Sequence, residues 1–338
     1  MMGFGEEGKK FPQKFFLSYL ITNQPLLGTS LYKKQLNFYI FFSAAVFTGF
    51  LDILSFNAIL RCFLYHQSRI NLKEALMQKR FLVFGAHPDD PDLMFGGAAL
   101  KLIKAGHAVK FVSVTNGCAG HHILSEEELI PRRYQEAQAS AEILGLEEYQ
   151  IMNNPDGRLE NTLKNREDIT RIIREFLPDV VITHRLCDYH PDHRITSQLV
   201  LDTSFLLRVP HFCPDAPVPP KNPVFAHSFD TFTDPRPVRM DAFVDISDCI
   251  EEKYRLVDCH KSQFYEWLPW VDLNEKNFSA EGWSWEEKMA FIDKHWGWRF
   301  KIQASMTNGR SEKYAEIFEY SPYGRKASQE EFQALFDL

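Results

Sequence analysis

Short apolar runs alternate with helical patterns between residues 80 and 184, and this alternation narrows the possible folds more than any other feature of the chain. The first run, Arg80-Phe-Leu-Val-Phe-Gly85, leads into a polar turn and a helix that continues to about residue 105. Further strands are predicted over 108–114, 148–152 and 179–184, with helices over 126–144 and 165–176 between them. Strands that alternate with helices form a mostly parallel sheet covered on both faces. We therefore expect a Rossmann-like, three-layer α/β/α domain.

The pattern is weaker after residue 207. Six of the 18 prolines lie in 209–223, which predicts an extended loop. Strands are predicted over 224–232 and 242–246, and a helix over 246–261. All six tryptophans fall between residues 267 and 298, so we treat 266–338 as an aromatic-rich C-terminal part of the same domain.

The charge of the chain changes sign near residue 77. Residues 1–76 carry 8 basic and 4 acidic side chains, whereas residues 77–338 carry 30 and 41. The first segment holds 16 consecutive uncharged residues, 36–51, just short of the roughly 20 that span a bilayer. We expect an apolar, helical N-terminal extension over 1–76 before a domain over 77–338. The extension has three interpretations: a membrane or interfacial anchor through residues 36–60, an extension read from an upstream start codon, and a packed helical hairpin.

Composition excludes several classes of protein. The net charge of −7 argues against a dedicated nucleic-acid binder. The six cysteines are scattered and none has C-x-x-C spacing, so we expect free thiols rather than a disulfide framework. A cytoplasmic location follows, with membrane association if residues 36–60 form an anchor. Oligomerisation is left open.

Two related tetrapeptides follow two of the predicted strands. His87-Pro-Asp-Asp90 follows the first, and His190-Pro-Asp-His193 follows the strand over 179–184. A single motif of this kind is more typical of a polar turn than of a metal site. Because the loops after parallel strands share one edge of a sheet, where ligands bind, the second motif reverses that preference. We therefore expect the two motifs to form one site.

Spacing within the motifs suggests the roles. His87 and Asp90, three residues apart, can face the same side, and His193 supplies a second imidazole. Two imidazoles and one carboxylate are the ligands of catalytic zinc with an open position for water, whose pKa the metal lowers towards about 7. Asp89 is then the predicted general base, and His190 is predicted to stabilise the oxyanion or protonate the leaving nitrogen. Other divalent metals remain possible.

The remaining polar residues near the motifs carry weaker signals. Asp192 is predicted to orient His190 through its carboxylate. The isolated histidines are interpreted as structural or surface residues: His121, His122, His184, His227 and His260. Segments 115–122 and 154–158 follow strands at the same edge and are predicted to line the pocket; for 115–122, a glycine-rich surface turn is an equally good interpretation.

These motifs resemble the LmbE-like, or PIG-L, superfamily of zinc-dependent deacetylases. The resemblance rests on Ala86-His-Pro-Asp-Asp90 with Gly96-Gly97, on Arg133-x-x-Glu136, and on Asp188-x-His-Pro-Asp-His193. It covers about residues 79–265 and implies the same zinc ligands, the same base and the same transition-state stabiliser. It also implies an N-acetylated amino sugar or its conjugate as substrate. Pro91-Asp92 departs from the glutamate that commonly follows the two aspartates, which predicts a branch with its own substrate geometry.

Three side chains are predicted to contact the substrate: Asn116, Arg133 and Asp188. For Arg133, a salt bridge to Glu136 is an equally good interpretation. The tryptophans could stack on a sugar ring as a lid, or fill the core and a subunit interface, which is the commoner role.

The sequence therefore predicts a zinc-dependent deacetylase that releases acetate from a small N-acetylated sugar or conjugate. Two alternatives remain. The same metal site could run another reaction, such as the hydration of an unsaturated acid. A non-catalytic, membrane-attached accessory protein would instead use residues 1–76 as its functional part.

Overall fold

A single seven-stranded sheet organises the part of the chain that the computed structural model describes, residues 78–146 and 149–338. The predicted extension 1–76, with its apolar stretch 36–60, lies outside the described residues. The strands are β1 (Arg80–Gly85), β2 (Ala108–Thr115), β3 (Tyr149–Asn154), β4 (Val180–Thr183), β5 (Val224–Ser228), β6 (Ala242–Asp245) and β7 (Ala315–Gly324). Their order is β3-β2-β1-β4-β5-β7-β6. The first five are parallel and β7 is antiparallel to both its neighbours, so the sheet is mixed and mostly parallel.

Helices connect most of the strands. They are α1 (Asp90–Lys104), α2 (Glu126–Leu144), α3 (Leu163–Phe176), α4 (Pro191–Leu206), α5 (Ile250–Cys259), α6 (Leu268–Val271), α7 (Trp285–His295), α8 (Trp298–Met306) and α9 (Gln329–Phe336). Local chemistry sets the bounds of α2, which match the prediction. The Ser125 hydroxyl accepts the Glu128 N–H and the Glu128 carboxylate accepts the Ser125 N–H, while Gly145 at φ 75° ends the helix. Among the described residues, no helix combines the length and apolar character needed to cross a membrane.

Alternation along the strands divides the core into two layers. Phe81 and Val83 of β1 belong to one apolar cluster, whereas Leu82 and Phe84 belong to the other. Helices α1, α2, α5 and α9 complete the first cluster, and α3 and α4 complete the second. Because both faces of the sheet are covered, the architecture is the predicted three-layer α/β/α arrangement.

Two C-terminal features differ from the predictions. The strand predicted over 224–232 ends at Ser228, because the Asp230 carboxylate accepts the Phe232 N–H at 2.9 Å and turns the chain. The aromatic-rich part contributes β7, which completes the sheet between β5 and β6.

Five of the six tryptophans separate into two groups, and the sixth, Trp298, is 40% exposed. Trp283, Trp285 and Trp296 pack against the first apolar cluster. Trp267 and Trp270 instead stack on each other, with ring centroids 5.4 Å apart, beside the loop that follows β2. The core interpretation therefore holds for the first group only.

Candidate active site

The two His-Pro-Asp motifs meet where the strand order reverses. β1 pairs with β2 on one side and with β4 on the other, so β1 and β4 are neighbours although about 100 residues separate them. Such a reversal opens a crevice at the carboxyl ends of the strands. His87-Pro-Asp-Asp90 follows β1 and His190-Pro-Asp-His193 follows β4, so both motifs lie at this crevice, as the sequence predicts.

The backbone of the first motif is fixed by its neighbours on both sides. The Ala86 N–H donates to His184 Nε2 at 3.0 Å, and the Ala86 carbonyl accepts both the N–H and the hydroxyl of Thr115, each at 2.8 Å. Gly85 permits the tight turn that follows, since a Cβ at this position would lie 2.4 Å from Pro91 Cδ. The sheet therefore holds the start of the motif independently of any bound group.

Three side-chain atoms converge in the crevice. His87 Nδ1 lies 3.2 Å from Asp90 Oδ2, His193 Nε2 lies 3.5 Å from the same oxygen, and the two ring nitrogens are 3.3 Å apart. Ligands about 2.0–2.1 Å from a tetrahedral zinc are separated by about 3.3–3.4 Å. The donor types and their spacing therefore fit a zinc ion, with the remaining coordination position left to water or substrate.

Neighbouring carboxylates leave one nitrogen of each ring available as a donor to a metal. Asp188 Oδ2 lies 3.0 Å from His193 Nδ1, and Asp156 Oδ1 lies 3.1 Å from His87 Nε2. A carboxylate beside one ring nitrogen favours the tautomer that carries its proton there. The lone pairs of His193 Nε2 and His87 Nδ1 then point into the site.

The electrostatics also favour a cation. Five carboxylates surround the crevice: Asp89, Asp90, Asp156, Asp188 and Asp192. The buried guanidinium of Arg133 lies among them. Burial alone would lower the pKa of His87, but hydrogen bonds to Asp156, Asp192 and Asp90 outweigh it and raise this pKa well above 6.5. Burial raises the pKa of Asp156, but His87 and Arg133 hold it down at about 2.

Asp89 is held by one of its two oxygens. Oδ1 accepts Arg133 Nη2 at 2.9 Å in a pair in which both side chains are buried. Within the described residues, the side chain makes no further hydrogen bond. Asp89 therefore has one fixed oxygen and one oxygen without a hydrogen bond to the described residues, and it directly precedes Asp90.

His190 is oriented differently from the prediction. The backbone N–H of Asp192, not its carboxylate, donates to His190 Nδ1 at 3.2 Å. The Asp192 carboxylate instead accepts the N–H groups of Gly157 at 2.6 Å and Leu159 at 3.3 Å, and lies 3.7 Å from His87 Nε2. Since Nδ1 of His190 accepts a proton donor, the neutral ring carries its own proton on Nε2.

The predicted substrate contacts have partners within the chain. Asn116 donates to Asn153 Oδ1 at 3.1 Å and accepts the Cys118 N–H at 3.2 Å, which orders the loop after β2. The alternative salt bridge between Arg133 and Glu136 does not form, because Arg133 turns to Asp89. Glu136 accepts both the N–H and the hydroxyl of Ser262 instead. Asp188 also accepts the His190 N–H, at 2.8 Å.

Two residues of the site were not predicted as site residues: His184, which was interpreted as structural or surface, and Asp156. His184 stacks on His193 with ring centroids 4.0 Å apart and lies 3.3 Å from Asp90 Oδ2. Its Nε2 accepts the Ala86 N–H, so it offers no lone pair to a metal, and burial with the neighbouring His193 lowers its pKa to about 4. Asp156 lies in the loop 154–158, which the sequence predicts to line the pocket. The sequence signal that could have placed His184 in the site is its position directly after β4, at the same edge of the sheet as the two motifs.

The other isolated histidines lie outside the crevice. His227 Nδ1 contacts the His184 carbonyl at 2.7 Å, and His260 Nε2 contacts Asp92 Oδ2 at 2.7 Å, both in buried positions. His121 contacts Glu266 at 2.9 Å, and His122 stacks on Trp270. They are structural and surface residues, as predicted.

Comparisons with known proteins agree with this geometry. The family model of PIG-L, GlcNAc-PI de-N-acetylase, matches residues 82–204. Diacetylchitobiose deacetylase of Thermococcus kodakarensis is 32% identical over 199 residues, which cover 57% of this chain and 73% of that protein. 4-Oxalmesaconate hydratase of Pseudomonas putida is 28% identical over 204 residues, covering 56% and 76% of the two chains.

A solved structure shares the fold as well. N,N'-diacetylchitobiose deacetylase from Pyrococcus horikoshii superposes with a TM-score of 0.58 at 25% identity, over 72% of this chain and 84% of that one. The matched family region contains both His-Pro-Asp motifs, strands β2 to β4 and β1 from Leu82 onwards. The motifs, the fold and the sequence identity together establish that the chain belongs to the PIG-L family.

Proposed function

We propose that this protein is a zinc-dependent hydrolase that removes the acetyl group from an N-acetylated amino sugar or its conjugate. The observation that carries the proposal is the spacing of His87 Nδ1, Asp90 Oδ2 and His193 Nε2, which lie 3.2 to 3.5 Å from one another. The deacetylase relative at 32% identity supports the reaction class.

The metal would be held by His87, Asp90 and His193. Zinc bound there would polarise the acetamide carbonyl and lower the pKa of a water molecule. Asp188 and Asp156 would keep the two imidazoles in the required tautomers. For Asp188, this orienting role uses contacts that it already makes, so we favour it over direct contact with substrate.

The chain's own groups would manage the protons. Asp89 would take the proton of the attacking water on its free oxygen, while Arg133 keeps the other oxygen in place. The Nε2–H of His190 would donate to the carbonyl oxygen as negative charge develops on it. The bond from carbon to nitrogen then breaks, the proton from Asp89 passes to the leaving nitrogen, and acetate and the free amine depart. Asn116 and Arg133 remain proposed as residues of the substrate pocket.

Hydration of an unsaturated acid is the second candidate. The observation that favours it is the relative at 28% identity, which is a 4-oxalmesaconate hydratase. A metal and a general base can also add water across a double bond, so the same residues would serve.

Product analysis separates the two candidates. The purified full chain would be incubated with N,N'-diacetylchitobiose, with N-acetylglucosamine and with an unsaturated dicarboxylate, while zinc content per chain is measured on the same sample. We expect release of acetate and a zinc content near one per chain. Loss of the double bond without acetate would favour the hydratase, and an active protein without bound metal would refute the mechanism.

The Asp89→Asn variant tests the base. It keeps the shape of the side chain and removes its ability to take a proton, so we expect the turnover number to fall about 10²- to 10⁴-fold with zinc content unchanged. Asp168→Asn is the matched control, because Asp168 makes a surface ion pair with Lys164 on α3. Wild-type turnover by Asp89→Asn would exclude Asp89 as the base.

A further inference from the structure

Arg299 carries a half-buried positive charge that has no hydrogen-bond or ion-pair partner among the described residues. It lies in the first turn of α8, and its guanidinium makes no hydrogen bond or ion pair with any residue of the described ranges. The buried arginines elsewhere each have hydrogen-bond or ion-pair partners, although the Nε atoms of Arg133 and Arg174 make no hydrogen bond within the described part of the chain. Arg133 pairs with Asp89 at 2.9 Å, Arg185 pairs with Asp230 at 2.7 Å, and Arg174 donates to four backbone carbonyls.

Its contacts place Arg299 at the active-site edge of the sheet. The guanidinium carbon lies 5.9 Å from the centre of the Phe229 ring, and Phe229 follows the carboxyl end of β5. Because β5 is parallel to β4, this end shares an edge with the metal-ligand motifs. Three residues further along, Phe232 lies 5.7 Å from the ring of Tyr189, whose ring in turn lies 5.9 Å from that of His190.

Each of the nearby carboxylates has a partner other than Arg299. Burial lowers the pKa of Arg299, and the charges of Asp90, Asp230 and Asp188 act against this shift, so the guanidinium lies within the field of the crevice. Asp230 pairs with Arg185 through Oδ1, while its buried Oδ2 makes no hydrogen bond to the residues that the structure describes, and Asp188 pairs with His193. A partly desolvated guanidinium gains most from a planar anion that accepts two of its N–H groups.

We propose that Arg299 binds an anionic oxygen group of the substrate, a carboxylate or a phosphate, remote from the acetamide that is cleaved. This inference rests on the proposed function and narrows its substrate class to acidic N-acetylated sugars or conjugates. Arg299 is thus a specificity residue, and the segment 229–232 with Tyr189 forms the wall between it and His190.

Kinetics with a matched set of substrates test the proposal. The zinc-loaded full chain would be assayed for acetate release from N-acetylglucosamine, N-acetylglucosamine 6-phosphate and N-acetylmuramic acid. We expect at least a tenfold higher kcat/KM for one of the two anionic sugars than for the neutral one. The anionic sugar with the higher kcat/KM shows whether Arg299 binds a phosphate or a carboxylate. In Arg299→Met this ratio should fall at least tenfold, and Arg299→Lys should retain part of it because a point charge remains.

Arg255→Met is the control. Arg255 is exposed on α5 and pairs with Glu251 at 2.8 Å, so its loss should leave the ratio at the wild-type value. An equal loss of kcat/KM for all three substrates in both Arg299 variants would mean a structural role and would overturn the inference. So would an unchanged ratio in Arg299→Met.

Binding measurements separate failure of this inference from failure of the proposed function. Calorimetric titration with glucosamine, glucosamine 6-phosphate and muramic acid needs no turnover. If no acetate is released but an anionic amine binds at least tenfold more tightly to wild type than to Arg299→Met, the deacetylase proposal fails and the anion site stands. If acetate is released and neither kinetics nor binding depends on the anionic group, the function stands and the anion site is refuted.

Discussion

Removal of either partner of the buried Lys253–Glu316 ion pair should destabilise the protein by about 3 kcal/mol or more. Both side chains are at most 1% exposed, and the ammonium nitrogen lies 2.6 Å from Glu316 Oε1. The pair also binds the backbone of α1. Lys253 donates to the carbonyls of Asp92 and Leu93, and Glu316 accepts the N–H groups of Gly97 and Ala98.

The magnitude follows from what each substitution leaves behind. Lys253→Met leaves a buried carboxylate with only two backbone donors, and breaking a buried pair in this way costs about 3–5 kcal/mol. Glu316→Gln leaves a buried ammonium and turns an amide N–H₂ towards one of the backbone N–H groups. The double variant removes both charges, so its cost should be smaller than the sum of the single costs by about 2 kcal/mol.

Urea unfolding of the full chain, followed by circular dichroism at 25 °C, measures these differences. A loss of 3 kcal/mol would lower Tm by roughly 6–12 °C in a domain of this size. Lys164→Met is the control, since Lys164 makes an exposed pair with Asp168 that should contribute about 0.5 kcal/mol or less. Single variants within 1 kcal/mol of wild type, or strictly additive costs, would show that the pair does not stabilise the fold in this way.

Two further substitutions have specific expected outcomes. Gly85→Ala places a Cβ 2.4 Å from Pro91 Cδ and 2.5 Å from Asp90 Cβ. We therefore expect the free energy of unfolding in urea to fall by about 1–3 kcal/mol and the zinc content to fall as well. A variant with wild-type stability and zinc content would contradict the close approach. Glu319→Gln tests a pH dependence. Burial would raise the pKa of Glu319, but Arg236 and Arg239 lower it from 4.5 to about 2. The stabilising effect of the Glu319 carboxylate is therefore complete above pH 4.5 and is lost as the pH falls towards 2. The difference in unfolding free energy between wild type and Glu319→Gln should therefore be constant from pH 5 to 7 and shrink at pH 4 and pH 3, whereas a difference that grows on acidification would reverse the assigned sign.

Local signals in the sequence were sufficient for the strands β1 to β4, for the helices α1 to α3 and for the convergence of the motifs, but α4, α6 to α9 and β7 were not predicted. The bounds of α2 follow from Ser125, Glu128 and Gly145, which act within one turn of the helix ends. His87 and His193 come together because parallel strands place their carboxyl ends at one edge, which is a property of topology rather than of detailed packing.

The choice of hydrogen-bond partner could not be predicted in the same way. Whether Asp192 meets His190 with its carboxylate or with its backbone N–H depends on where the loop after β3 lies, and that loop supplies Gly157 and Leu159 as competing donors. Arg133 pairs with Asp89 rather than with Glu136 for a similar reason, because the Glu136 carboxylate accepts two hydrogen bonds from Ser262, which is distant in the sequence. Such choices depend on contacts between residues far apart in the sequence, which periodicity and spacing do not encode.

The hydrogen bonds that anchor Ala86 determine which segments of the chain can be substituted without moving His87. The peptide group of Ala86 is bound by Thr115 on one side and His184 on the other, so the turn that presents His87 is supported by β2 and β4. The walls that we propose for the pocket come from other segments: the loops after β2, β3 and β5, and the start of α8. Substitutions in those segments can therefore alter what is bound without displacing the donors at the sheet edge. This separation accounts for how a deacetylase and a hydratase can both be relatives of one chain.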